Sequence, residues 1–214
     1  MNKNDLPKII PIFPLSNFII FPRTTVPLNI FEPRYIEMID SCMKGNGIFG
    51  LIQPKKSGDL KNPDLYEIGC AGKITSFNET EDGKYLIVVN GICRFKIISE
   101  EKNKKLYREC CIQFNDYFDD LNTNNNKEIN FSELKLIFKD LKSLFKKQGY
   151  IINWKVIEKQ SLTQTINTLS MASPFSLEEK QVLLESKNIT TRKEKLEEIL
   201  KTYIIDNFNN STLQ

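Results

Sequence analysis

The chain of 214 residues contains no histidine and a single tryptophan. Without imidazole it lacks the commonest general base at neutral pH and the usual partner of cysteine in zinc sites. Its five cysteines form an odd set with no C-x-x-C spacing, which argues for reduced thiols rather than a disulfide framework or a metal clamp. Cys110 and Cys111 are adjacent, and on a strand they would point to opposite faces. Most of the cysteines therefore read as small buried hydrophobes. No apolar run is long enough to span a bilayer. The first apolar stretch is broken by Pro11 and Pro14, with no small-residue cleavage site after it, so the expected location is the cytoplasm, with no membrane partner. A dominant charge sign is also missing. The formal net charge is +3, residues 1–118 carrying 16 basic and 14 acidic groups and residues 119–214 carrying 14 and 13. Neither half has the overall charge of a polyanion binder.

What is present is enough apolar material for a core. With 40% hydrophobic residues, a chain of this length buries roughly 70% of its unfolded surface. The first half reads as short strands. Val26, Leu28 and Ile30 alternate with Pro27 and Asn29, the period of a strand with one buried face, and Pro27 suggests an edge position or a strand start. Pro33 suits the first position of a helix predicted over 33–44, with Glu32 at its positive end. Tyr35, Ile36, Ile39, Cys42 and Met43 supply that helix's apolar face. Ile48 to Ile52 is a further strand, and Gln53 to Leu65, with Pro54, Gly58 and Pro63, reads as a surface loop. Tyr66 to Phe77 follows as a long strand. Asp82-Gly83 and Asn90-Gly91 read as hairpin turns around Tyr85 to Val89, before strands at Ile92 to Ile98 and Leu106 to Phe118.

The composition changes at Asp119. Residues 119–130 are polar and rich in asparagine, which predicts a linker between a β subdomain at 1–118 and a helical subdomain at 131–214. Phe131, Leu134, Ile137, Phe138, Leu141, Leu144 and Phe145 keep helical spacing for four turns. Trp154, Ile157, Leu162, Ile166 and Leu169 predict one or two further segments. Ser176-Leu177-Glu178-Glu179 is a capping box, and Thr191-Arg192-Lys193-Glu194 reads as a second one opening the last helix. The expected fold class is α+β, a small partly closed barrel with one short helix followed by a helical bundle.

Two runs imitate ligand motifs. Asn122 to Glu133 has the oxygen spacing of a calcium loop, but Asn122 replaces the first aspartate, Lys127 stands where glycine is needed, and the main ligand set holds one carboxylate. Gly69-Cys70-Ala71-Gly72-Lys73-Ile74 has two residues between its glycines instead of four and an isoleucine after the lysine, so it fails as a phosphate loop. Those glycines read as a bulge or a close backbone approach. No metal, no cofactor and no catalytic residue is expected, since no serine or cysteine is spaced with a lysine or carboxylate that could activate it.

A set of segments in fixed order carries a family likeness: Pro11-Ile12-Phe13-Pro14-Leu15, Phe21-Pro22, Pro27-Leu28, Ile30-Phe31-Glu32-Pro33-Arg34-Tyr35, Phe49-Gly50, Ile68-Gly69-Cys70-Ala71-Gly72-Lys73-Ile74 and Gly91-Ile92-Cys93-Arg94-Phe95. This set resembles the N-terminal domain of Lon proteases, a module also found in cereblon and in stand-alone bacterial proteins. The resemblance implies a PUA-like pseudobarrel and a role in recognising substrate proteins. It stops before the ATPase and protease domains of those enzymes, so a stand-alone, non-enzymatic form is expected. The expected partners are unfolded polypeptides or a defined partner protein, with an adaptor role for a separate protease as the extension. Phe31, Glu32, Arg34 and Tyr35 are the candidate protein-binding residues. The alternative is an RNA-binding PUA-like module; Lys102, Lys104, Lys105 and Arg108 form the local basic cluster, and nucleic acid is disfavoured by the balanced charge. The oligomeric state is left open.

Overall fold

Residues that alternate between core and solvent along the first 113 positions form a sheet that closes on itself. The computed structural model describes residues 5–58, 62–122 and 131–211, in two units, Met1–Asn122 and Thr123–Gln214. In the first unit the elements are β1 (Ile9–Pro14), β2 (Thr25–Ile30), α1 (Pro33–Met43), β3 (Ile48–Ile52), β4 (Pro54–Gly58), β5 (Pro63–Leu65), β6 (Ile68–Glu79), β7 (Tyr85–Glu101), β8 (Arg108–Gln113) and a 3-10 helix at Asn115–Leu121. The main sheet runs β2-β7-β6-β3-β1-β8, and a further β7–β8 pairing closes it. Among the described residues only β1 and β3 pair in parallel, and the other pairs of this sheet are antiparallel. Ile10, Ile12, Phe49, Cys70, Val89 and Phe95 fill the interior with no exposed surface.

Closure depends on the length of β7. Asn90-Gly91 is not a hairpin turn: the two strands expected on either side of it are one 17-residue strand whose first half pairs with β2 and whose second half pairs with β8. Gly91 serves a close backbone approach instead. A Cβ there would lie 2.2 Å from the Phe21 carbonyl oxygen, because the Phe21–Thr24 loop docks on it through Arg23 N–H to Gly91 C=O and Gly91 N–H to Thr24 C=O, both 2.8 Å. Gly72 does sit at a bulge against β7, with Val89 where its side chain would be. Asp82-Gly83 is a turn, with Gly83 at φ +74°.

Three other expectations change. The predicted loop at 53–65 contains a two-stranded ladder, β4 with β5. The long strand expected to reach Phe118 stops at Gln113, and the chain turns into the 3-10 helix. Asp119 to Asn122, expected to open the linker, belong to the first unit, and the Asp120 carboxylate is taken into it. It accepts from Arg94 backbone N–H at 3.0 Å, Nε at 2.8 Å and Nη2 at 2.9 Å, while Arg94 and Asp120 side chains are 2% and 9% exposed. The Arg94 guanidinium also lies 4.2 Å from the Tyr117 ring centre. Arg23 donates to the carbonyls of Asp120 and Asn122. The polar character of 119–122 reflects this latch. The calcium-loop imitation lies outside the described residues over 123–130.

The second unit contains α2 (Phe131–Lys147), α3 (Trp154–Ile157), α4 (Leu162–Ala172), α5 (Leu177–Leu184) and α6 (Ile189–Ser211). Leu134, Ile137, Leu141 and Leu144 on α2 are buried with Ile166, Leu169, Leu183, Leu196 and Leu200. Ser176 and Glu179 form the expected capping box. The last helix starts earlier than Thr191: Asn188 Oδ1 accepts the Thr191 N–H at 2.9 Å and so caps it, an acceptor as effective as a hydroxyl. Arg192, 1% exposed, donates to the Leu183 and Leu184 carbonyls and to Asn167. A cation thus closes the C-terminus of α5 and ties it to α4 and α6.

Candidate functional site

The corner from β2 into α1 is set by local chemistry. Glu32 is extended at φ −74° and ψ 132°, and Pro33 follows in the first helical turn. The Glu32 carboxylate occupies the N-cap position but caps nothing with its side chain. It pairs instead with Arg34, at 2.9 Å to Nε and 2.7 Å to Nη2. Arg34 in turn lies over the Tyr35 ring, 4.5 Å from its centre. Tyr35 meets Phe13 edge-on at 4.3 Å between centroids, which buries it to 6% exposure. Burial pushes the Tyr35 phenol above its ordinary range; Arg34 opposes this and Glu32 adds to it.

The four residues predicted for binding are therefore contiguous but unequal. Phe31 is 63% exposed, Glu32 and Arg34 are half-buried, and Tyr35 is largely core. All four line a groove of about 490 Å³, whose other wall is Phe13 to Phe18 and whose floor includes β2. A second cavity of about 280 Å³ shares Pro14, Ser16, Arg34 and Tyr35 and extends to Pro63, Tyr107 and Arg108. Arg108 is held there by Glu100, at 2.8 Å, and by the Pro63 carbonyl, at 2.7 Å. Sequence reading missed this second side, since Pro63 and Arg108 reach Arg34 only through barrel closure.

The groove's most useful feature is backbone. In the six-stranded sheet β2 has a partner on one side only among the described residues. Antiparallel ladders alternate bonded and non-bonded pairs. Counting from the Gly91 N–H to Thr24 C=O bond, the polar groups of Val26, Leu28 and Ile30 face β7. Those of Thr25, Pro27 and Asn29 face outward. Pro27 thus stands where its missing N–H interrupts no bond to β7, which explains its tolerance in this strand.

Burial pushes the Cys42 thiol to about 12 and the Cys110 thiol to about 11, and it raises Cys93 as well. Such thiols stay protonated at neutral pH and are poor nucleophiles. Among the described residues no group of three or more Cys, Asp or Glu is placed to hold a metal, and no helix is long and apolar enough to cross a membrane.

Residues 9–202 match the family described as the ATP-dependent protease La (LON) substrate-binding domain. The chain belongs to that family. Among curated relatives, a Lon protease of Desulfosudis oleivorans is 34% identical over 95 residues, 42% of this chain and 12% of that protein. Lon protease 2 of Myxococcus xanthus is 28% identical over 100 residues, 46% of this chain and again 12% of that protein. The matched stretch is thus about an eighth of those relatives' length. The Lon N-terminal domain protein from Xanthomonas campestris has the same fold at a TM-score of 0.65 and 19% identity, covering 88% of this chain and 96% of that one. The N-terminal domain of the Mycobacterium avium complex Lon protease follows at 0.61 and 17%, with 91% and 98% covered. The fold class is α+β, in agreement with these neighbours.

Proposed function

We propose that this Lon substrate-binding domain is a non-catalytic receptor for extended polypeptide, which pairs along the outward edge of β2 and is gripped at the Phe31–Tyr35 corner. The observation that carries this reading is the open β2 edge forming the floor of the 490 Å³ groove. Thr25 and Asn29 each offer an outward N–H and C=O, and Pro27 offers a C=O alone, a register that a strand can follow. Phe31 provides an exposed apolar contact at the end of that strand. The groove carries one acid, Glu32, and one base, Arg34, already paired. That balance suits a polypeptide backbone better than a phosphate chain. Delivery of bound segments to a protease is the corresponding role in the cell.

Alternating backbone N-methylation of a bound peptide tests this reading. Methylating residues whose N–H groups face β2 should abolish binding, whereas methylating the intervening residues should leave it nearly intact. Phe31→Ala should weaken the same peptides, and Thr25 and Asn29 amides should gain exchange protection on binding. Equal tolerance of both methylation patterns would exclude strand addition.

A further inference from the structure

A second surface lies in the helical unit, and it is built from charge at helical spacing. Lys135, Lys139, Lys142 and Lys146 on α2 recur at intervals of four, three and four. At about 100° per residue they share roughly 60° of arc and extend about 16 Å along the axis. All four are exposed. Lys142 pairs with Glu158 at 2.9 Å and lies over the rings of Phe138 and Trp154, at 5.7 and 5.4 Å. Among the described residues the other three are in no ion pair.

The stripe borders an apolar depression. A groove of about 530 Å³ is lined by Lys135, Phe138, Lys139, Lys142 and Glu158, so its floor is aromatic and its rim is cationic on the α2 side. A solvated lysine face accounts for the charges alone but not for an apolar groove between them. A nucleic acid fits less well, since Phe138 is buried and the groove offers no exposed ring on which a base could stack. We infer that this groove docks an acidic amphipathic helix, with an apolar side chain against Phe138 and carboxylates spaced to meet Lys135, Lys139 and Lys146. A helix is the matching shape because an acidic stripe on it repeats at the same four-three-four interval.

The single tryptophan reports on this surface. Trp154 packs edge-on against Phe138 at 6.0 Å, so occupancy of the groove alters its emission. The probe is a synthetic peptide of about 18 residues with glutamates at i, i+4, i+7 and i+11 and leucines on the adjoining stripe, fluorescently labelled and titrated against the full chain. Controls are the scrambled peptide and a single-stranded oligonucleotide of similar length. The peptide should shift Trp154 emission and raise its own anisotropy. Its affinity should fall at least about tenfold in K135E/K139E and again when salt rises from about 0.05 to 0.5 M, with circular dichroism unchanged. Phe31→Ala should leave this binding intact, which separates it from the β2 reading. Absence of both signals, equal binding of the scrambled peptide, indifference to K135E/K139E, or tighter oligonucleotide binding through the same lysines would overturn the inference.

Discussion

Removing the Asp120 carboxylate should unlatch the end of the barrel unit, and the geometry sets the size of the effect. In Asp120→Ala the Arg94 guanidinium, 2% exposed, and its backbone N–H together lose three hydrogen bonds of 2.8 to 3.0 Å. Breaking one partner of a buried pair costs about 3–5 kcal/mol, chiefly because the remaining buried charge loses its counter-charge. At a urea slope of about 2 kcal/mol/M, this lowers the midpoint by roughly 2 M. The cost should be mostly a penalty on the buried guanidinium that has lost its carboxylate, not the net worth of the pair. Arg94→Met combined with Asp120→Leu should therefore recover at least half of the loss, keeping a deficit of about 1–2 kcal/mol for the lost bond from the position-94 backbone N–H to the carboxylate. Amide hydrogen exchange at Cys93 to Phe95 follows the barrel unit directly. If Asp120→Ala lies within about 1 kcal/mol of the parent, or the double variant is as unstable as the single one, the latch argument fails.

Gly91→Ala should cost about 2–3 kcal/mol through overpacking and release the Phe21–Thr24 loop, because its new Cβ meets backbone at 2.2 Å rather than a movable side chain; urea denaturation of the two proteins measures this. Of the five thiols, Cys42, Cys70, Cys93 and Cys110 are buried and Cys111 is half-exposed. Ellman's reagent on the native chain at pH 8 should therefore modify one cysteine quickly, and Cys111→Ser should remove that phase. Burial and the Glu179 carboxylate, which accepts from the Tyr203 hydroxyl at 2.7 Å, raise the Tyr203 phenol to about 12. Because the folded value lies above the unfolded one of about 10, Tyr203 stabilises the helical unit fully below pH 10 and loses that contribution as pH rises towards 12. The urea midpoint followed by Trp154 emission should fall more steeply over that range in the parent than in Tyr203→Phe.

Local chemistry along the chain determined the pieces of this protein. The Val26–Ile30 alternation, Pro33 at the helix start, Gly83 in its turn and the Ser176 capping box act within a few residues, so their partners are already present in the text. The ordered segments from Pro11 to Phe95 carried the family and hence the barrel. The candidate corner was legible as a contiguous motif, although not that Tyr35 would be buried on Phe13 while Phe31 stayed exposed; that depends on which neighbours the barrel supplies. Asn90-Gly91 misled because the same dipeptide serves a tight turn and a close backbone approach, and only the docking of a loop some 70 residues earlier distinguishes them. Arg94 entered as part of a strand and a family segment and Asp120 as part of a polar linker; that the two, 26 residues apart, form a buried pair is a property of the folded neighbourhood. The open edge of β2 is likewise a tertiary fact. Pro27 pointed to an edge or a strand start, but that no strand covers the outer side of β2 among the described residues follows from the closing pair of β7 with β8, which leaves β2 outside the ring.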